Sequence, residues 1–499
     1  MQKTWGFYGR AREIATIEKI LDRGRWFFCA ISGRRRIGKT SLIREALQAV
    51  GRGHKCLYVQ IPDSDERGVV QAFQDAVEGV GATPDEARRY RTFADMAHII
   101  RICCESGWVV ILDEFQYFHR KGLAPFQSLL QAEVDRLRDT TEGGLVVLGS
   151  IHTEMSAILE DRNAPLFSRI TDRIEVEHWD FETLFEMFGA HGIVDPAQQL
   201  FLWSLFEGVP KFYRDAFDQG VLTPAPDYRQ RTLRQLFFEG SSPLRDEADT
   251  WFLREFRGRY DTVLRLLARL GPCSHGALTE EFGRAGTESE KQLGGYLKIL
   301  VENYRMVERQ MPIFAGKKDR KGRYAITDNF LMSWLGGLAK NVVASRMMPL
   351  GRPLAAADEA LATVEGFTFE RMIRQLTVEC SRKDCGDFTL SEMVQGYWNS
   401  ADTEIDLVAL DDVSETIRFG SCKRSETKHD VDSLAGFDGH IQRFLETKDG
   451  RRFNGWVVEK ALYSTTFSSD NRSHLEALGY VCRDIPDFRN LLFPKRISP

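Results

Sequence analysis

Long apolar runs are missing from this 499-residue sequence: none approaches the roughly eighteen residues that a bilayer-spanning helix needs. Membrane partners are therefore not expected. Cysteine is scarce and unpatterned. The nine residues at 29, 56, 103, 104, 273, 380, 385, 422 and 482 are odd in number and form no C-x-x-C pair, which argues against a disulfide framework or a zinc ribbon. A reducing cytosol suits such usage. No basic-then-apolar leader opens the sequence, so a cytoplasmic location is expected. Internal repeats and low-complexity tracts are absent too. Strong charge bias is also lacking, at a net -5, with one local exception. Residues 251–340 carry sixteen Lys/Arg against ten Asp/Glu in an otherwise acidic chain.

What is present is the composition of a globular protein, 43% apolar and 28% charged, in a chain long enough for about three domains. Residues 1–180 alternate short apolar runs (Trp26–Ile31, Cys56–Gln60, Trp108–Leu112, Leu145–Gly149) with amphipathic stretches, the pattern of a parallel α/β sheet. Residues 181–250 have helical spacing broken at Gly208-Val209-Pro210 and predict a helical lid. Residues 251–340 read as three helices and a hairpin, the order of a winged helix-turn-helix. A Pro/Gly/Ala-rich stretch, 341–362, predicts a linker, and 363–499 a separate α/β domain.

Gly33-Arg34-Arg35-Arg36-Ile37-Gly38-Lys39-Thr40 has the spacing of a Walker A phosphate loop, followed by Ser41. It lies between a buried run and a helix bearing Leu42, Ile43, Ala46 and Leu47, so backbone N–H groups and the helix N-terminus can face phosphates. Lys39 is expected to neutralise the β- and γ-phosphates of ATP, and Thr40 to coordinate Mg2+. Four apolar residues then lead into Asp113-Glu114, a Walker B pattern: Asp113 to hold Mg2+ through water, Glu114 to polarise the attacking water.

Tyr8-Gly9-Arg10-x-x-Glu13, the Walker A loop, Leu112-Asp113-Glu114-Phe115-Gln116, Gly149-Ser150 and Gly208-Val209-Pro210 together resemble the archaeal-type prokaryotic P-loop ATPases, close to the STAND and AAA+ classes. The resemblance covers about residues 5–240. It implies that Walker B lies on a strand not adjacent to the P-loop strand, that Ser150 is a γ-phosphate sensor, that Gly9 and Arg10 pack beside the adenine, and that Pro210 belongs to the lid's GxP motif. Arg34, Arg35 and Arg36 are typical of that family. Arg169 stands where a finger arginine could reach a neighbouring subunit's ATP, which implies a homo-oligomer formed through the ATPase domain; an ordinary ion-paired arginine is the alternative.

Many members of that family continue with a winged helix and a restriction-endonuclease-like domain. Here the tip of the hairpin carries Lys317, Lys318, Arg320, Lys321 and Arg323, suited to the phosphates of duplex DNA. Glu370, Glu404, Asp406 and Lys423 follow the order of a PD-(D/E)xK core, but Ser421 stands where a second acid is usual, and serine is a poor ligand for a hard divalent ion. Glu404, two residues from Asp406 on a strand, could take its place. The fold expected is thus α/β: an AAA+-like P-loop NTPase sheet with helical lid, winged helix-turn-helix and nuclease-like domain. The function expected is a DNA-associated ATP-hydrolysing switch, with a low-turnover nucleotide-dependent sensor or scaffold, or an ATP-gated nuclease, as alternatives.

Overall fold

The structure, a computed structural model, describes residues 4–494 apart from 52, 54, 139–142, 151, 240–241, 246, 248–258, 285–291, 317–318, 320 and 400–402. It divides into two units, one of Gly9–Trp179 with Val209–Lys211, the other of Met1–Tyr8, Asp180–Gly208 and Phe212–Pro499.

In the first unit the apolar runs become parallel strands: β1 (Phe27–Gly33), β2 (Cys56–Gln60), β3 (Val109–Asp113), β4 (Gly144–Gly149) and β5 (Asp172–Val176), in the order β2-β3-β4-β1-β5. Phe28, Ala30, Val110, Leu112, Leu145 and Val147 belong to one core, shared with helices Glu66–Gly79, Phe93–Glu105 and Pro125–Leu137. Phe27, Cys29, Ile31, Val109, Ile111, Val146 and Leu148 belong to the other, with helices Ala11–Leu21 and Lys39–Ala49. Burial on both faces explains why these strands read as continuous apolar runs rather than as alternation. Because β4 pairs with both β1 and β3, the ends of these three strands lie side by side, and β3 is not adjacent to β1.

The second unit begins with helices Phe181–Ala190 and Pro196–Phe206. Helices Arg259–Leu270, His275–Arg284 and Leu293–Glu302 follow, with an antiparallel sheet ordered β6-β8-β7 from β6 (Cys273–Ser274), β7 (Val307–Gln310) and β8 (Arg323–Ile326). A mixed sheet, β13-β12-β11-β10-β9, ends the chain. Its strands are β9 (Gln395–Trp398), β10 (Glu404–Asp411), β11 (Thr416–Cys422), β12 (Val457–Ser464) and β13 (Val481–Asp484). Strands β9 to β11 are antiparallel, and β11 to β13 parallel.

Two expectations need correction. The stretch read as a linker begins in helix Ala339–Ala344 and is helical again from Gly351, within a single helix Gly351–Arg382. Pro353 sits in the first turn, where a missing N–H costs no hydrogen bond, and the alanines that follow are the best helix formers. Pro353, Leu354, Ala357, Leu361 and Val364 are buried at helical spacing. Nor do the lid, the basic segment and the C-terminal sheet separate, since all but Val209–Lys211 of the lid fall in one unit. Ile313, just beyond β7, donates its N–H to the Gly396 carbonyl at 2.9 Å and packs into the core of the C-terminal sheet. Arg371, on the long helix, donates to buried Glu207 at 2.7 Å and to Asn329 at 3.1 Å, tying three segments together.

All nine cysteines are free, and no described helix is long and apolar enough to cross a membrane.

Candidate nucleotide site

The P-loop conformation is set by glycine where nothing else fits. At Gly33, φ is +155° and a Cβ would run into the Val176 carbonyl oxygen on the neighbouring strand β5. Gly38 caps the following helix in the left-handed region, at φ +92°. A Cβ there would stand 4.0 Å from the Pro210 ring, which brings the predicted GxP proline to the loop.

Lys39 is 6% exposed and donates from Nζ to the carbonyls of Gly33 (2.9 Å) and Arg34 (3.1 Å) and to Ser150 Oγ (3.0 Å). Burial pushes its ammonium down to about 8; Glu114 and then Asp113 oppose the shift, and Arg35 adds to it. An ammonium satisfied by neutral acceptors in a desolvated loop is poised to exchange them for phosphate oxygens.

Thr40 Oγ1 donates to Asp113 Oδ2 at 2.7 Å, so the hydroxyl at the helix start and the carboxylate at the end of β3 meet. Tyr58, on β2, donates to the same oxygen at 2.7 Å, and Asp113 Oδ1 accepts the Glu114 N–H at 2.8 Å. Glu114 has φ +57°, a left-handed conformation that turns the chain sharply out of β3. Gln116, 1% exposed, donates from Nε2 to Glu114 Oε2 and accepts the Ser150 N–H at 3.3 Å. Neither Tyr58 nor Gln116 stands out by residue type; only strand pairing and the turn after Asp113 bring them in.

Arg10 donates to the Ile37 carbonyl at 3.3 Å and pairs with Glu13 at 3.0 Å, so the Gly9-Arg10 segment borders the P-loop. Arg34 lies 3.3 Å from His178, while Ile37 is buried and Ser41 exposed. Arg169 departs from the finger expectation. Its guanidinium is clamped by Asp135 (2.9 Å to each oxygen) and by the carbonyls of Pro165 and Phe167, so it stabilises its own domain's loop.

Residues 7–210 match a family model described as an ATPase domain predominantly from Archaea. The N-terminal part of the chain carries an archaeal-type ATPase domain. Residues 353–434 match a second model, described as archaeal and bacterial proteins of unknown function. An uncharacterized protein of Methanocaldococcus jannaschii is 26% identical over 444 residues, 85% of this chain and 88% of its own length. Among solved structures, the Walker-type ATPase of Pyrococcus abyssi aligns with a TM-score of 0.50 at 18% identity, over 66% of this chain and 96% of that one. The ORC2 protein of Aeropyrum pernix, in ADPNP–ADP complexes, aligns with a TM-score of 0.49 at 14% identity, over 69% and 97%. The likeness to the Pyrococcus ATPase is one of fold, and the family match supports a nucleotide-binding ATPase domain.

Outside that domain, the second unit gathers the other predicted acids. Asp406 Oδ2 accepts the Cys422 N–H at 2.8 Å and lies 3.6 Å from Lys423 Nζ. Burial, then the charge of Asp406, holds the Glu370 carboxyl well above the usual carboxylate range. Ser421 is buried on β11. Glu404, the acid offered in its stead, is paired with a cation. Its carboxylate is held by Arg323 through bonds of 2.6 and 3.1 Å, and the Arg323 guanidinium lies 4.6 Å from the centre of the Trp398 ring. A cavity of about 170 Å³ is lined by Arg323, Glu370, Arg371, Arg374, Glu404 and Asp406. Of the residues assigned to DNA, Arg323 is thus engaged within the chain, and Lys321 gives its carbonyl to Trp398 Nε1 at 2.7 Å. Lys317, Lys318 and Arg320 lie outside the described residues.

Proposed function

We propose that this chain is an ATP-driven switch in which Lys39 binds the β- and γ-phosphates, Thr40 and Asp113 hold Mg2+, Glu114 orients and deprotonates the attacking water, and Ser150 contacts the γ-phosphate. The observation that carries this reading is the convergence of all five on the ends of β1, β3 and β4, with Thr40 2.7 Å from Asp113 and Lys39 3.0 Å from Ser150. The residues fit Mg2+: a hydroxyl and a carboxylate in contact are hard oxygen donors of the kind it takes alongside phosphate oxygens and water. When bound, the ion neutralises charge developing on the β- and γ-oxygens. The protein's own part is to fix the phosphates from the P-loop, to exclude water around Lys39, and to give Glu114 the proton of the attacking water.

Mg2+-dependent hydrolysis measured for wild type, Lys39→Ala and Glu114→Gln tests this. Lys39→Ala is expected to lose nucleotide binding. Glu114→Gln is expected to bind ATP as wild type does and to turn over at least a hundredfold more slowly. Wild-type binding without turnover would favour the sensor or scaffold reading.

The second unit, with its basic segment 251–340 and paired Asp406 and Lys423, supports association with duplex DNA without cleavage, because Ser421 offers no carboxylate beside Asp406 and Glu404 is held by Arg323. Duplex-stimulated ATPase activity and salt-dependent binding are the expected results. Mg2+-dependent cleavage abolished by Asp406→Asn would establish the ATP-gated nuclease instead.

A further inference from the structure

Gln116 is buried inside the ATPase unit, yet no phosphate-binding or metal-binding role reaches it. Its amide makes two bonds of opposite sense. The Ser150 backbone N–H can only donate, so it fixes Oε1 towards β4. That orientation leaves Nε2 to donate to Glu114 Oε2. Glutamine is the side chain that can do both at this reach. Leucine would strand a buried N–H, and glutamate would set a second carboxylate against Glu114.

The contact continues. Ser150 Oγ accepts from Lys39 Nζ at 3.0 Å while the Ser150 backbone N–H donates to Gln116, so one residue joins the contacts of Lys39 to those of Gln116 and Glu114. Lys39 is also the group that must leave its present acceptors for an incoming phosphate. A shift of Lys39 or Ser150 on phosphate binding therefore reaches the Glu114 carboxylate through one amide.

We propose that Gln116 is the positioning residue that sets Glu114 for hydrolysis, coupling the general base to the strand that reads the γ-phosphate. The proposal rests on the assignment of Glu114 as base. Gln116 binds no substrate atom, so its loss affects the rate and leaves nucleotide affinity intact. One bond to a charged group corresponds to about a tenfold to hundredfold change.

The test uses the full chain and compares wild type, Glu114→Gln, Gln116→Glu and Gln116→Leu. Nucleotide affinity is followed with a fluorescent ATP analogue, which also shows that each variant has folded, and kcat and KM are measured from about pH 6 to pH 9. Gln116→Glu is nearly isosteric. At high pH its carboxylate repels Glu114 and donates nothing; once protonated, its O–H can donate to Glu114 as the amide does. Its kcat is expected to fall about tenfold to a hundredfold below wild type at pH 9, with the gap narrowing on acidification and with KM and affinity within about twofold of wild type. Gln116→Leu is expected to stay slow at every pH. A merely structural role would not produce a deficit that closes at low pH in one variant only.

If Glu114→Gln is inactive while both Gln116 variants match wild type, or if the Gln116→Glu deficit is independent of pH, the proposal falls and the assignment of Glu114 stands. If Glu114→Gln turns over at the wild-type rate, or wild type does not turn over at all, the assignment falls and takes the proposal with it.

Discussion

The depressed ammonium of Lys39 makes nucleotide affinity depend on pH in a direction that can be worked out beforehand. In the free site Lys39 is desolvated, hydrogen-bonded to two carbonyls and a hydroxyl, and titrates at about 8. Triphosphate beside it favours the charged form, so the bound-state pKa rises above the free-state value and binding takes up a proton wherever the free lysine is neutral. Affinity is therefore full below pH 8 and declines as pH rises through it. With a free-state value near 8, roughly nine-tenths of the free lysines are neutral at pH 9 and a tenth at pH 7, so Kd should rise about tenfold over that interval. Titration calorimetry in buffers of different ionisation enthalpy should report close to one proton taken up per nucleotide at pH 9 and few at pH 7. Lys39→Arg, whose guanidinium stays charged, should bind more weakly but with a flat profile. A wild-type Kd unchanged between pH 7 and pH 9, or a rise that persists in Lys39→Arg, would refute the reasoning.

Gly33→Ala should lower the melting temperature and cut nucleotide binding, since its Cβ meets the Val176 carbonyl at a φ that costs other residues about 1–3 kcal/mol. Tyr58→Phe removes one donor from Asp113 and should shift the Mg2+ requirement for hydrolysis severalfold while metal-free nucleotide binding is kept, as a metal titration of the ATPase rate would show. Arg371→Met removes the bonds from Arg371 to buried Glu207 and to Asn329 and should destabilise the second unit by about 1.5–3 kcal/mol, measurable by denaturant unfolding. Arg323→Ala and Glu404→Ala should each cost at most about 1 kcal/mol, less in high salt, and should be non-additive in a double-mutant cycle, because Glu404 remains over half exposed.

The nucleotide site was legible because its chemistry is contiguous: the P-loop is eight consecutive residues, and Asp113-Glu114 ends a single strand, so local pattern and tertiary position coincide. Of the β2-β3-β4-β1-β5 order, only the separation of β3 from β1 was visible, and that through resemblance, since apolar runs do not state which strands pair. Gln116 lay inside a quoted motif without a role, because its partner Ser150 is 34 residues away and joins it only when β4 packs beside β3. Residues 351–362 were misread for a different reason. Proline and glycine were weighed as breakers, although at the start of a helix they break nothing, and the alanine-rich run with buried Leu354, Ala357 and Leu361 carried the stronger signal.

Arg323 shows where composition stops informing. A basic, glycine-bounded hairpin has the same sequence whether its cations face a nucleic acid or a carboxylate of the same chain. Here the carboxylate is Glu404, 81 residues on, and the pair is backed by Trp398. That contact engages a cation proposed for DNA and a carboxylate that lines the same cavity as Asp406. One ion pair therefore competes with both activities proposed for the second unit. A duplex that competes for Arg323 would free Glu404 two residues from Asp406 on β10, so the proposed DNA binding and any metal binding at that cavity would be thermodynamically linked. Comparing Mg2+ affinity with and without duplex in wild type and in Arg323→Ala measures the linkage. The duplex should tighten Mg2+ binding in wild type and have no effect once the arginine is gone; equal effects in both would show that Arg323 does not couple the two.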